Sequence, residues 1–129
     1  PNPRFFAWRR NFAPMTNALA PHINLWVTHE EEVVLSGWRI ALLEAIAATG
    51  SISAAADQLE VNYRVAWSKI KEMEHGLGVA LLTTRIGGSH GGGAELTPAA
   101  LEFIRRYRLL SAGLDEWVQQ RFAEVFADL

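Results

Sequence analysis

Between Ser51 and Thr97 the sequence leaves room only for short elements joined by tight corners. Ser51-Ile52-Ser53 leads into Ala54-Ala55-Ala56-Asp57-Gln58-Leu59. A serine there can cap a short helix, and Ser53 is read as that cap. Three alanines in a row project almost no volume, so a second helix can cross them closely. Glu60 and Val61 form a turn, and Asn62 caps a longer helix from Tyr63 to about Gly76. Beyond it, Leu81 to Arg85 reads as a strand and Ala94-Glu95-Leu96 as its partner. The stretch joining them, Ile86 to Gly93, holds five glycines in eight residues. Helix, tight turn and helix in so few residues is the helix-turn-helix pattern, and the glycine-rich hairpin beside it reads as a wing.

The flanking sequence supplies the rest of a core. Residues 1–20 show no sustained periodicity and read as a loosely ordered arm carrying Arg4, Arg9 and Arg10. Ile23, Leu25 and Val27 alternate with Asn24, Trp26 and Thr28, then Glu30-Glu31-Glu32 turns the chain into Val33-Val34-Leu35. That is a hairpin pattern. Ser36 caps a helix from Gly37 to Thr49, which Gly50 stops, and its wide apolar face (Trp38, Leu42, Ala45, Ile46, with Ile40 and Leu43 beside) suits a central position. Thr97 caps a last helix that Pro98 starts. Phe103, Tyr107, Leu110, Leu114 and Trp117 form one apolar stripe along it, and Val118 and Phe122 extend that stripe with a one-residue shift. Gly113 is a possible kink. The expected fold is mainly α with small β hairpins: residues 1–20 as an arm, 21–97 as a winged helix-turn-helix with its N-terminal hairpin, and 98–129 as a dimerisation helix.

Charge constrains the function more than it reveals it. The chain has 129 residues with 12 Lys and Arg against 14 Asp and Glu, a net charge of −2, and no cysteine. Disulfides and thiolate metal sites are therefore excluded. His22, His29, His75 and His90 show no ligand spacing, so neither a metal nor any other cofactor is expected. No nucleophile motif is present and an enzyme is not expected. There is no apolar run long enough to span a bilayer and no signal-peptide pattern, so a cytoplasmic protein without a membrane partner is the expectation. Nucleic-acid binding would have to rest on a few well-placed cations.

Such a placement exists on the second helix of the pair. Ala66, Ile70, Met73 and Leu77 fall together on a helical wheel, with Trp67 at their edge, and form the buried side. Opposite lie Arg64, Ser68, Lys71 and His75, flanked by Lys69 and Tyr63. Arginine can pair with guanine through two hydrogen bonds, while lysine and serine can hold phosphate oxygens. The same wheel also describes a solvated polar face. The glycine stretch lacks the Lys-Ser/Thr of a nucleotide-binding loop and reads as a wing with Arg85 at its base, or as a hairpin tip without contacts. Trp26, Trp38, Trp67 and Trp117 read as core or interface anchors.

Three runs in fixed order carry a family resemblance: Gly50-Ser51-Ile52-Ser53-Ala54-Ala55-Ala56, Tyr63-Arg64-Val65-Ala66-Trp67, and Gly87-Gly88-Ser89-His90-Gly91-Gly92-Gly93-Ala94-Glu95-Leu96-Thr97. Together they resemble the N-terminal domain of ModE-type molybdate-dependent transcriptional regulators, and more distantly the DNA-binding domains of LysR-type regulators. The resemblance implies a winged helix-turn-helix bound to double-stranded DNA as a homodimer. It implies recognition through Tyr63, Arg64, Ser68, Lys69 and Lys71 and wing contacts through Arg85, Gly87, Gly88, Ser89 and His90. Ser53 and Asn62, at the helix starts, are counted with the DNA-facing residues. Phe103, Tyr107, Leu110, Leu114, Trp117, Val118 and Phe122 are expected in the dimer interface. Full-length members sense molybdate through a separate C-terminal domain, which a chain ending at Leu129 is expected to lack; molybdate binding by these residues has no support. The family's usual turn glycine is Glu60 here, which must accept a positive φ or imply another turn. The expected function is repression of molybdate-uptake and molybdoenzyme genes. The alternatives are a winged-helix protein-interaction module and a small oxyanion-binding protein.

Overall fold

The first hairpin forms where the apolar alternation is clearest. In the computed structural model, which describes residues 19–85 and 92–128, strand β1 (Trp26–His29) pairs antiparallel with β2 (Glu32–Ser36). Glu30 and Glu31 connect them with φ of +50° and +70°. Positive φ at both connecting residues matches the right-handed twist of paired strands, at a cost in strain for residues with a Cβ. The register shifts between Val27 and Thr28, a bulge that lets Val34 and Leu35 both turn into the core. Leu25 and Val27 pack against that core, and Trp26 between them faces outward.

Helix α1 (Gly37–Thr49) is the centre of the domain. Ser36 Oγ accepts from the Arg39 N–H and Gly50 ends the helix at φ +76°, as the sequence predicts. Ile40, Leu42, Leu43 and Ile46 are fully buried, so apolar contacts surround the helix on several sides. Helix α2 (Ile52–Gln58) follows. Its cap is Ser51, whose Oγ accepts from Ala54 N–H at 2.9 Å. Ser53 instead lies inside the helix and is exposed, which corrects the expected cap. Ala55 and Ala56 are buried, consistent with the close crossing their size allows.

Glu60 makes the corner. It takes φ +58°, so the glutamate accepts the left-handed conformation rather than a different turn. The Glu60 N–H donates to Asp57 O and the Val61 N–H to Ala56 O. Asn62 then caps helix α3 (Tyr63–Leu77), its Oδ1 accepting from Val65 N–H at 2.9 Å. The helix passes through Gly76, where the sequence suggests an end, and closes at Gly78. Gly76 serves packing instead: a Cβ there would come within 2.5 Å of Val34 Cγ1. The His29 ring bonds Gly76 O at the same junction, with Nδ1 as donor (2.8 Å).

Strands β3 (Leu82–Arg85) and β4 (Gly93–Leu96) pair antiparallel as the base of a wing. The Ala94 N–H donates to Gly50 O at 2.8 Å, pinning the wing to the end of α1. Gly87, Gly88, Ser89 and His90 lie outside the described residues, as do Arg4, Arg9 and Arg10. Thr97 Oγ1 accepts from Ala100 N–H and so caps helix α4 (Pro98–Ser111), while donating to Ala80 O. The architecture is a winged helix-turn-helix preceded by a hairpin.

Residues 24–110 form one compact unit that includes most of α4. Ala100 and Tyr107 of that helix are buried, and the Tyr107 hydroxyl donates to Leu25 O at 2.8 Å. At 4% exposed, Tyr107 belongs to the core of its own domain, which takes it out of the expected dimer interface, and Phe103 packs against the same core. The stripe reads as continuous because core-facing and exposed residues share one helical period. Of the other described residues, 19–23 and 111–128 belong to a second unit. There helix α5 (Leu114–Val125) starts after Gly113, whose φ of +81° interrupts the single long helix expected from Pro98. Asp115 and Glu116 in its first turn complement the helix dipole. Phe122 and Phe126 stack with centroids 4.7 Å apart.

Candidate nucleic-acid interface

Packing decides which face of α3 is available. Ala66, Ile70 and Met73 are sealed into the core, with Leu77 partly so. That rotation turns Arg64, Ser68, Lys71 and His75 outward, all exposed, with Tyr63 exposed and Lys69 half-buried at the flanks. The side of the helix expected to face a partner is therefore the side the core leaves open.

The cations on that face are not equivalent. Lys69 Nζ lies 3.5 Å from Glu72, and Lys71 Nζ lies 3.1 Å from Glu74. Glu72 also pairs with Arg39 of α1 at 3.0 Å, and the Arg39 guanidinium reaches Lys69 O at 3.5 Å. Burial alone would raise the Glu72 carboxyl, but the Arg39 hydrogen bond and the charges of Lys69 and Arg39 hold it below its ordinary value. Glu74 does more. Its Oε2 accepts from the Leu81 N–H at 2.7 Å and the Leu82 N–H at 3.4 Å. Burial again works against the charged form, but those N–H groups and Lys71 outweigh it and lower the pKa. Glu74 thereby ties α3 to the start of the wing. Arg64 has no ion-pair or hydrogen-bond partner among the described residues.

A cleft of about 340 Å³ opens beside the first turns of α3. Tyr63 and Trp67 line one side, Thr84, Arg85 and Gly93 the other, and Ser51 and Ser53 its end. Arg85 is exposed, and its guanidinium folds over Gly93, where a Cβ would come within 3.0 Å of Nη2. The cleft brings Ser53, Tyr63 and Arg85 together. Arg64, Ser68, Lys69 and Lys71 lie on the adjoining face of α3, and the Asn62 side-chain oxygen is occupied as a cap.

Trp67, expected as a core or interface anchor, lies outside the core. The residue is 46% exposed, and Lys71 Nζ stands 5.6 Å from its ring centroid. Its wheel position, at the margin between apolar and cationic faces, was the available signal. Trp26 and Trp117 are exposed further, each by more than half. Thr84 was missed because nothing in a strand of alternating residues distinguishes it. Of the other candidate interface residues, Leu110 and Trp117 are exposed, and Leu114, Val118 and Phe122 are half-buried.

The family model of the bacterial regulatory helix-turn-helix protein, lysR family, matches residues 39–101. The chain is 45% identical over 76 residues to the molybdenum-pterin-binding protein MopB of Rhodobacter capsulatus, covering 59% of this chain and 28% of that protein. It is 38% identical over 90 residues to the DNA-binding transcriptional dual regulator ModE of Escherichia coli (strain K12), covering 70% and 32%. It thus spans about a third or less of the curated relatives it matches. Among solved structures, it resembles the protein of the CbnR_DBD–DNA complex at 30% identity and a TM-score of 0.52, covering 67% of this chain and 95% of that one. Full-length CbnR complexed with its target DNA matches at 26% identity and a TM-score of 0.53, covering 67% and 28%.

Proposed function

The chain belongs to the lysR family of bacterial regulatory helix-turn-helix proteins, and from that membership we propose that it is a sequence-specific DNA-binding regulator that represses genes of molybdate uptake and molybdoenzymes. The observation that carries the DNA reading is the outward face of α3, where Arg64 stands without a partner among the described residues beside the cleft that Arg85 lines. A helix of that kind places its N-terminal residues against base edges in the major groove. Arg64 is the residue for a guanine edge, with Ser68 and the two lysines holding phosphates. The molybdenum reading rests on the relative named for molybdenum-pterin binding, and the repressor reading on economy: occupying an operator excludes polymerase without a further surface.

The working species is a homodimer. Leu110 and Trp117 expose large apolar side chains that a second copy can cover. Two recognition helices about 34 Å apart would then read a pseudo-palindrome.

Fluorescence anisotropy with labelled duplexes tests the binding. A site selected by the protein from a random library should bind about 10³-fold or more tighter than random sequence, and affinity should fall with salt by a log–log slope of about −0.9 per phosphate neutralised. Equal affinity for both duplexes would overturn the proposal. Deleting the gene should raise transcripts of molybdate-uptake genes; unchanged transcripts would remove the assigned regulon.

A further inference from the structure

A helix seated in the major groove is bordered on each side by a sugar–phosphate strand, because the groove (~12 Å) is hardly wider than the helix (~10–12 Å). Whatever stands immediately beside α3 must therefore meet backbone rather than bases. On one flank that is the cleft between α3 and the wing base. Resting on the proposed DNA reading, we propose that this cleft seats one nucleotide of the strand at the groove's rim: Tyr63 and Trp67 pack against its deoxyribose, and Arg85 with Thr84 holds its phosphate.

The chemistry of the walls suits that occupant. A deoxyribose offers an apolar face and a phosphate offers anionic oxygens, and the cleft divides in the same way. Two aromatic side chains, each about half exposed (Tyr63 51%, Trp67 46%), form one wall. A guanidinium without an ion-pair partner among the described residues and a threonine hydroxyl form the facing wall. The Arg85 guanidinium lies over Gly93, where the missing Cβ leaves it room, and its planar fork of N–H donors suits a phosphate. Lys71 near the Trp67 ring adds positive charge on the side facing the strand. The cleft is continuous with the cationic face of α3, so one docked duplex reaches both. A contact to sugar and phosphate carries no sequence information; it sets the depth and register at which Arg64 reads.

A methylphosphonate scan tests this. Each phosphate of a library-selected duplex is replaced in turn by a neutral methylphosphonate, and binding is measured for the wild type, Arg85→Met, Thr84→Val and Trp67→Ala. Among the positions that weaken wild-type binding, one per half-site should cost about ten-fold, the size of one charge-assisted hydrogen bond, and that one alone should have little effect on Arg85→Met. Trp67→Ala should weaken selected and random duplexes by the same factor, with Trp67→Phe restoring most of the loss. A Trp67→Ala protein with altered base preference overturns the proposal, since the ring would then be reading a base. A scan in which Arg85→Met keeps every wild-type sensitivity overturns it independently of whether the tryptophan variants fold. Failure to select any site would instead sink the DNA reading, and this one with it.

Discussion

The two halves of α3 carry similar residues and use them differently. In the first half, Tyr63, Arg64 and Trp67 project beside the cleft, and Arg64 has no described partner. From the midpoint on, Lys69 and Lys71 face Glu72 and Glu74, and Glu74 also receives two backbone N–H groups at the start of the wing, from Leu81 and Leu82. The front half is left open and the back half is tied down. This resolves the problem posed by the net charge of −2. Acidic residues near the cations do not all dilute a binding surface; Glu72 fastens α3 to Arg39 of α1, and Glu74 fastens it to the wing. What matters for a partner is which cations remain free.

The comparison breaks most visibly if the buried face of α3 is removed. Ile70, 1% exposed, packs in the core between the two halves. Ile70→Ala should cost about 3 kcal/mol of stability, as large-to-small core changes do, and should lower binding only in proportion to the unfolded fraction. Denaturant melts beside binding at low temperature check this. Glu74→Ala comes next, at about 2 kcal/mol, because the Leu81 N–H loses a charged acceptor in a half-buried place. Its pH dependence follows from a folded pKa below the unfolded one. The stabilisation is present above the unfolded value of ~4.3 and is lost as pH falls through the folded value. Glu74→Gln should therefore flatten the acid limb of the stability curve; an unchanged limb would mean the carboxylate is not the tie.

On the open half, Arg64→Ala should weaken binding to a selected site about ten-fold, roughly 1.4 kcal/mol, without moving the melting temperature. Lys71→Ala should have a smaller effect, because its ammonium is already shared with Glu74 and the Trp67 ring. Equal losses for the two would show that free and paired cations are not distinguished as the structure indicates. Salt titrations of both variants make the check quantitative.

Much of this was legible in the residues, for reasons that also mark the limit. Ser36 with Gly50, and Asn62, set helix starts and stops through side-chain chemistry that acts within three residues, and such signals survive any tertiary context. The misreadings arose where local chemistry offers two equal answers. Ser51 and Ser53 are both competent caps, and the choice depends on how α2 docks. Gly76 looks like a stop, yet its missing Cβ makes room for Val34, a neighbour 42 positions earlier in the chain. Tyr107 shares the periodicity of an interface stripe but finds Leu25 O inside its own domain. The half-exposed Trp67 was hidden for the same reason: an aromatic residue at the margin of an apolar face can lie on either side of the boundary. Function-bearing side chains are those whose placement long-range packing decides.

The smallest expected effect concerns the corner that leads into the open half. Glu60 holds φ +58° between α2 and α3, a conformation that costs a residue with a Cβ ~1 kcal/mol or more. Glycine would relieve that strain but would bring more unfolded-chain entropy, about 0.4–1 kcal/mol against the gain. The Glu60 side chain is exposed, so little else is lost. Glu60→Gly should therefore stabilise the domain by about 0.5 kcal/mol, a rise in melting temperature of about 2–4 °C for a unit of this size. Binding should stay unchanged, because the corner's hydrogen bonds to Asp57 O and Ala56 O come from backbone and keep α3 in place. A variant that is more stable but binds less tightly would mean the corner's stiffness itself holds the open half at its working angle, and the division between a tied back and a free front would then have to extend to the turn.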